Sequence, residues 1–369
     1  MNKKLLILII GIIVAAIIIG FALKKPVSTG EIKIGFFGPL SGDTAAYGEP
    51  ALRGLAMAVE EINKNGGIDG KEVAIISEDS KCNGKDAVSA VTKLIDVNHV
   101  DYLVGGSCSS EVLAVAPIAK EKNVLLFSPF ASSPQIAGIG VFRVVPSDAL
   151  AGPFMAGELV KDYKKMAIVS EKTDYALGLK SELAKPYLAA GGEIVADESF
   201  DTNTADFRSL LQKIKSQNPD LVFLNPQSGA AGARLAKQAR EMGIKTQFAA
   251  FFITGEDFTS EGAAEGTIVF DVPSLAKSEI ANKFLSDYET TYGKPSYAFA
   301  AGSAYDILHV LKIAIEKSGP NNEKIREYLF AMKPYTGVVG TFSFDRSGDT
   351  AGLGYTKLVV KNKKVVPFE

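Results

Sequence analysis

The sequence predicts an α/β protein: two doubly wound parallel-sheet lobes behind one N-terminal transmembrane helix. Three observations carry this. Short unbroken Val/Ile/Leu/Phe runs alternate with helical patterns, the alternation fills two consecutive stretches of similar size, and an uncharged segment of nineteen residues lies near the N-terminus. Unbroken apolar runs mark strands buried on both faces of a parallel sheet, whereas a sheet with one wet face would alternate. At 369 residues the chain exceeds one ordinary core and suits two.

The first series reads Ile32–Phe37 as a strand and Glu49–Asn65 as a helix carrying Leu52, Leu55, Ala56, Val59 and Ile62 at helical spacing before Gly66 and Gly67 stop it. Strand Val73–Ser77, helix Ala87–Ile95, strand Tyr102–Gly105, helix Val112–Lys122 and strand Val124–Phe127 follow. The second series runs helix Ala151–Asp162, strand Lys165–Ser170, helix Leu177–Ala190, strand Glu193–Ser199, helix Asp206–Ser216, strand Leu221–Leu224, helix Gly229–Met242 and strand Gln247–Phe252. Three later helices, Ser278–Tyr292, Ala298–Ser318 and Glu323–Met332, are surplus to the second lobe, so the chain is expected to cross back to the first. Two β-rich segments, Thr341–Phe344 and Lys357–Val366, end the series.

The uncharged run Leu5–Leu23 would be close to 30 Å long as a helix, the thickness of a hydrocarbon core. Residues 1–25 are therefore expected to be a membrane or signal anchor and residues 26–30, Pro-Val-Ser-Thr-Gly, a linker. No small-x-small cleavage pattern and no cysteine follow the run. Two lysines flank each end, so charge alone does not orient it. Cys82 and Cys108 are the only cysteines, and an even pair behind an export-type leader reads as a disulfide. The bulk of the chain is thus expected outside the cytoplasm, single-pass at the cell membrane.

Forty basic and forty-two acidic residues give a formal charge of −2 without a basic block, so nucleic acid is not an expected partner. Trp is absent, and the only histidines are His99 and His309. That leaves few general bases or metal ligands, and no catalytic residues, metal or cofactor are expected.

In open parallel sheets a ligand sits beyond the carboxyl ends of the strands, where helix N-termini present unpaired N–H groups. Three such ends are rich in Ser, Thr and Gly: Gly38 to Gly48, Gly105 to Ser110, and Ser128 to Ser133. Any one of them could be only a helix cap or turn. Three in register point to a neutral, donor-rich pocket suited to a carboxylate.

At these loops the chain resembles the leucine/isoleucine/valine-binding protein family, the type I periplasmic binding proteins that serve ABC importers. The resemblance lies in Ile34-Gly35-Phe36-Phe37-Gly38-Pro39-Leu40-Ser41-Gly42, Tyr47-Gly48, Gly54, Glu61-Ile62-Asn63 and Gly66-Gly67-Ile68-Asp69-Gly70-Lys71, and extends from about Glu31 to the C-terminus. It implies two lobes joined by a three-strand hinge, residues 31–147 plus 275–350 forming lobe 1 and residues 148–274 plus 351–369 lobe 2.

Residue by residue, the resemblance implies a Cys82–Cys108 disulfide and a ligand-carboxylate contact from Ser109. Phe130 and Ser132 would hold the α-carboxylate and α-ammonium through backbone and hydroxyl groups, with Ala131 a further candidate contact and Ser132 standing where Thr is more usual. Tyr47 would line the side-chain pocket, and Asp148 and Tyr175 would close over the ligand. Two positions depart from the pattern: Asn225-Pro226-Gln227-Ser228 stands where amino-acid binders carry a Tyr, making Gln227 a candidate contact, and Phe252 stands where they carry the acid that pairs with the ammonium. Either Asp148 or Glu256 replaces that acid, or the ligand has no α-ammonium.

The implied function is a solute receptor that binds a branched-chain or similar amino acid, or a related small carboxylate, acts as a monomer and delivers to an ABC permease. The alternatives are a ligand-sensing ectodomain for a signalling partner and a binder of a non-amino-acid amide or carboxylate.

Overall fold

The computed structural model describes residues 30–368. The expected apolar span and most of the linker lie outside the described residues. Chain order runs β1 (Glu31–Gly38), α1 (Ala45–Lys64), β2 (Glu72–Asp79), α2 (Gly84–Asp96), β3 (Tyr102–Gly105), α3 (Ser109–Glu121), β4 (Leu125–Ser128) and β5 (Val141–Arg143). These strands form one sheet, order β2-β1-β3-β4-β5, parallel throughout.

Then come α4 (Asp148–Asp162), β6 (Lys165–Glu171), α5 (Asp174–Ala189), β7 (Glu193–Phe200), α6 (Arg208–Ser216), β8 (Leu221–Asn225), α7 (Gly229–Glu241), β9 (Gln247–Phe251), the short α8 (Glu256–Thr259) and β10 (Ile268–Asp271). The helices α9 (Glu279–Tyr292), α10 (Ala298–Ser318) and α11 (Asn322–Ala331) follow, and α10 packs along α1 of the first lobe. Of the three later helices, α10 thus lies against the first lobe. The contact is backbone-close: a Cβ on Gly54 of α1 would lie 2.0 Å from the Ala301 carbonyl oxygen of α10, so only glycine fits there.

β11 (Tyr335–Thr336), β12 (Thr341–Phe344) and β13 (Thr350–Ala351) make a small antiparallel sheet, and β14 (Thr356–Lys361) and β15 (Lys364–Pro367) rejoin the second lobe. That lobe's sheet has order β15-β14-β10-β9-β8-β6-β7. Its core is parallel, but β14 runs antiparallel to β10 and β15 antiparallel to β14, which corrects the expectation of a wholly parallel sheet. For β15 the physical reason is the turn at Asn362 and Lys363, with φ of 53° and 60°, which folds the expected Lys357–Val366 segment into a hairpin.

The chain passes between the two large sheets after β5, after β10 and before β14. The Tyr355 hydroxyl donates to the Pro146 and Ser147 carbonyls at 2.8 and 3.1 Å, tying the third crossing to the first. Five helices, α1 to α5, begin about a turn earlier than the periodicity suggests. Helix α3 starts at Ser109 and α5 at Asp174, which puts Ser109 and Tyr175 in first helical turns instead of loops.

Candidate functional site

The carboxyl ends of both sheets face one small cavity. From the first lobe it is lined by Tyr47, Ser107, Ser109, Phe130 and Ser132. From the second come Tyr175, Pro226, Gln227, Phe251, Phe252 and Ile253. Seven of the nine sequence-derived candidates, Tyr47, Ser109, Phe130, Ser132, Tyr175, Gln227 and Phe252, therefore meet in one place.

The serines are held by the ends of β3 and β4. Gly106 turns the chain with φ 73°, and a Cβ there would strike Val112 at 2.4 Å. The Ser128 hydroxyl donates to the Gly106 carbonyl at 2.8 Å and accepts from the Ala131 amide at 3.1 Å, locking the two loops together. Ser109 Oγ accepts the Ser133 amide at 3.2 Å, which leaves its own proton free to donate. The Ser107 and Tyr175 hydroxyls are buried without a partner.

Ala131 and Asp148 do not line the cavity. The Ala131 carbonyl turns away to accept from Arg143 at 3.4 Å. Asp148 is buried beside Ser132 and Tyr175, and neither carboxylate oxygen has a well-formed hydrogen bond. Burial pushes its carboxyl up to about 7, against the pull of the Ser132 hydroxyl and Arg143. Glu256, the other candidate acid, points to solvent, 83% exposed, and pairs with Lys294 at 3.0 Å. That excludes it from the cavity.

Nothing in the sequence pattern singles out Tyr297 or Asp271. Tyr297, at the N-cap of α10, packs its ring 4.8 Å from Phe130 and 5.6 Å from Tyr47 and donates its hydroxyl to Asp271. Asp271 also accepts from the Thr254 hydroxyl at 2.9 Å and the Val272 amide at 2.7 Å. The Cys82–Cys108 disulfide is present, with Cα atoms 5.3 Å apart, and braces the Ser107–Ser109 loop.

Four buried carboxyls, Glu111, Asp148, Asp271 and Asp306, are each pushed up to about 7, burial being the largest cause in every case. Between their ordinary values near 4 and about 7 the folded chain therefore holds more protons than the unfolded one. Stability then falls as pH rises through that window and levels off above it. A net pKa shift of one unit amounts to about 1.4 kcal/mol. The Tm of the ligand-free protein is accordingly expected to be about 2–4 °C higher at pH 5.5 than at pH 8. Melts at the two pH values check this, and an equal or higher Tm at pH 8 sinks it.

Residues 31–363 match the profile of the periplasmic binding protein family. The chain belongs to that family. The leucine-, isoleucine-, valine-, threonine- and alanine-binding protein of Pseudomonas aeruginosa is 29% identical over 351 residues, 93% of either chain. The branched-chain amino acid transporter substrate-binding protein of Streptococcus pneumoniae, solved in complex with isoleucine, is 30% identical. It superposes with a TM-score of 0.81 over 91% of this chain and 98% of its own. A solute-binding protein of R. palustris in complex with benzoate, 23% identical, has a TM-score of 0.81 over 91% of this chain and 95% of that one, a likeness of fold alone. The architecture is that of the type I periplasmic binding proteins.

Proposed function

We propose that this chain is the extracytoplasmic solute receptor of an ABC importer, taking an amino acid or related small carboxylate between its lobes by hinged closure. The observation that carries the reading is the cavity itself, in which Ser107, Ser109 and Ser132 converge from two neighbouring strand ends of one lobe opposite Tyr175 and Gln227 of the other. The N-terminus of α3 adds unpaired amides and the positive end of its dipole at Ser109, which favours a carboxylate. Lobe 1 comprises residues 31–147 with 275–350 and lobe 2 residues 148–274 with 351–369. Closure brings Tyr175, Gln227 and Phe252 over a ligand first held by Ser109, Phe130 and Ser132. Delivery is to a membrane permease, residues 1–25 tether the monomer, and no chemical step is assigned to the site.

Relatives that bind branched-chain amino acids support this reading, as does the fit of a small carboxylate to hydroxyl and amide donors. Calorimetry or thermal shift against amino acids, short carboxylates and amides should give a micromolar or tighter ligand. Silence across that panel overturns the proposal. Ser109→Ala should weaken the ligand found by about 1–2 kcal/mol, because its free proton would meet a charged group. An unchanged Kd removes Ser109 from the site.

A further inference from the structure

The cavity is rich in donors and has no carboxylate among its lining residues. Ser109 has a proton to give, and the Ser107 and Tyr175 hydroxyls are buried and unpartnered. The nearby acids lie outside its lining. Asp271 accepts from Tyr297, Thr254 and the Val272 amide. Glu171 accepts the Gln227 amide at 2.7 Å, and Asp257 accepts the Phe258 amide at 2.9 Å. Asp148 stands beside Ser132 and Tyr175, whose side chains line the cavity while its own does not. An ammonium taken into this space would lose its water and find no lining carboxylate in exchange.

Aromatic rings form much of the wall. Phe252 has φ 59°, in the left-handed region that bulky side chains avoid, and is only 4% exposed. A residue held in such a conformation at a cavity wall is a sign that its placement is functional. Its ring lies 3.9 Å from Phe251 and 4.9 Å from Phe130, and Phe130 stacks on Tyr47 at 5.3 Å. Faces of this kind receive a flat or branched apolar body.

We infer that the ligand is a monocarboxylate with an aromatic or branched apolar body and no α-ammonium group. This rests on the solute-receptor reading and narrows its substrate class.

The test is calorimetry on the full-length chain in detergent with matched pairs: 3-phenylpropanoate against L-phenylalanine, and 4-methylpentanoate against L-leucine. In at least one pair the acid without the amine is expected to bind tenfold or more tightly than its amino acid. Phe252→Glu, its fold checked by circular dichroism, should weaken that acid tenfold or more and narrow or reverse the preference. The wild-type comparison stands even if this variant does not fold. Tighter binding of the amino acid overturns the inference and leaves the receptor reading intact. If that binding is then lost in Asp148→Asn, Asp148 is the ammonium's partner. Binding by neither member of either pair also overturns the inference, and the receptor reading falls with it only if the wider panel is silent too.

Discussion

Asp349→Ala is expected to lower the free energy of unfolding by about 3–5 kcal/mol, the cost of leaving one partner of a buried ion pair alone. The Arg143 side chain is fully buried, and Asp349 meets it with both oxygens, at 2.7 and 2.8 Å. The other side of the guanidinium donates to the Ser133 and Ala131 carbonyls, at 2.7 and 3.4 Å. Without Asp349 the charge keeps only neutral carbonyl partners in a place water does not reach. Urea unfolding measures the loss, and a change under 1 kcal/mol refutes the argument. Replacing both residues, Arg143→Met with Asp349→Leu, should recover much of it, since the pair is costly mainly when broken. Ligand affinity should fall in the single variant as well, because Arg143 fixes the same segment that presents Ser132.

Arg143 also shows why part of the fold was not legible in the sequence. The longer strands and every long helix announce themselves by apolar pattern, and the surplus helices signal the return to the first lobe. β5 has three residues and includes an arginine, which reads against a buried strand until its partner, 206 residues away, is in place. β10 similarly ends on Asp271, whose charge is accommodated by Tyr297 at the head of a helix in the other lobe. The candidate site was more legible because its serines and glycines sit just beyond strands that were themselves readable. What local sequence could not reveal was direction. Glu256 turns outward toward Lys294, Ala131 turns its carbonyl to Arg143, and Phe252 takes a left-handed backbone that sets its ring against Phe130.

Apart from the buried Tyr297–Asp271 bond at the second crossing, two contacts that join the lobes across the cavity are individually modest. The Tyr47 hydroxyl reaches the Phe252 carbonyl at 3.4 Å, near the limit of a hydrogen bond. The Arg234–Asp43 pair spans the cleft at 3.1 Å with side chains 40% and 53% exposed, and such surface pairs contribute about 0–1 kcal/mol. The hinge is better tied, through Tyr355. Closure held by weak contacts over a firm hinge can be shifted by the differential affinity of a small ligand, which is the energetic requirement for a receptor of this kind.

Removing the disulfide, as Cys82→Ser with Cys108→Ser, is expected to cost about 3 kcal/mol, the loop-closure entropy of a bridge spanning 26 positions. The bridge does not act alone. Glu111, in the first turn of α3, accepts the Cys82 amide at 3.0 Å through one oxygen and the Cys108 amide at 2.9 Å through the other, and Ser80 donates its hydroxyl to the same carboxylate. These bonds hold the backbone of both cysteines in place whether or not the sulfurs are joined. The double variant should therefore lose stability mainly by enlarging the unfolded ensemble, while ligand affinity changes less than threefold. Glu111→Ala in the intact chain should do the reverse at the site, releasing the Ser107–Ser109 loop and weakening binding more than the loss of the bridge does. Urea unfolding with calorimetry on both variants separates the two roles. If the cysteine variant loses affinity as severely as Glu111→Ala, the bridge and not the carboxylate sets the geometry of the serine loop.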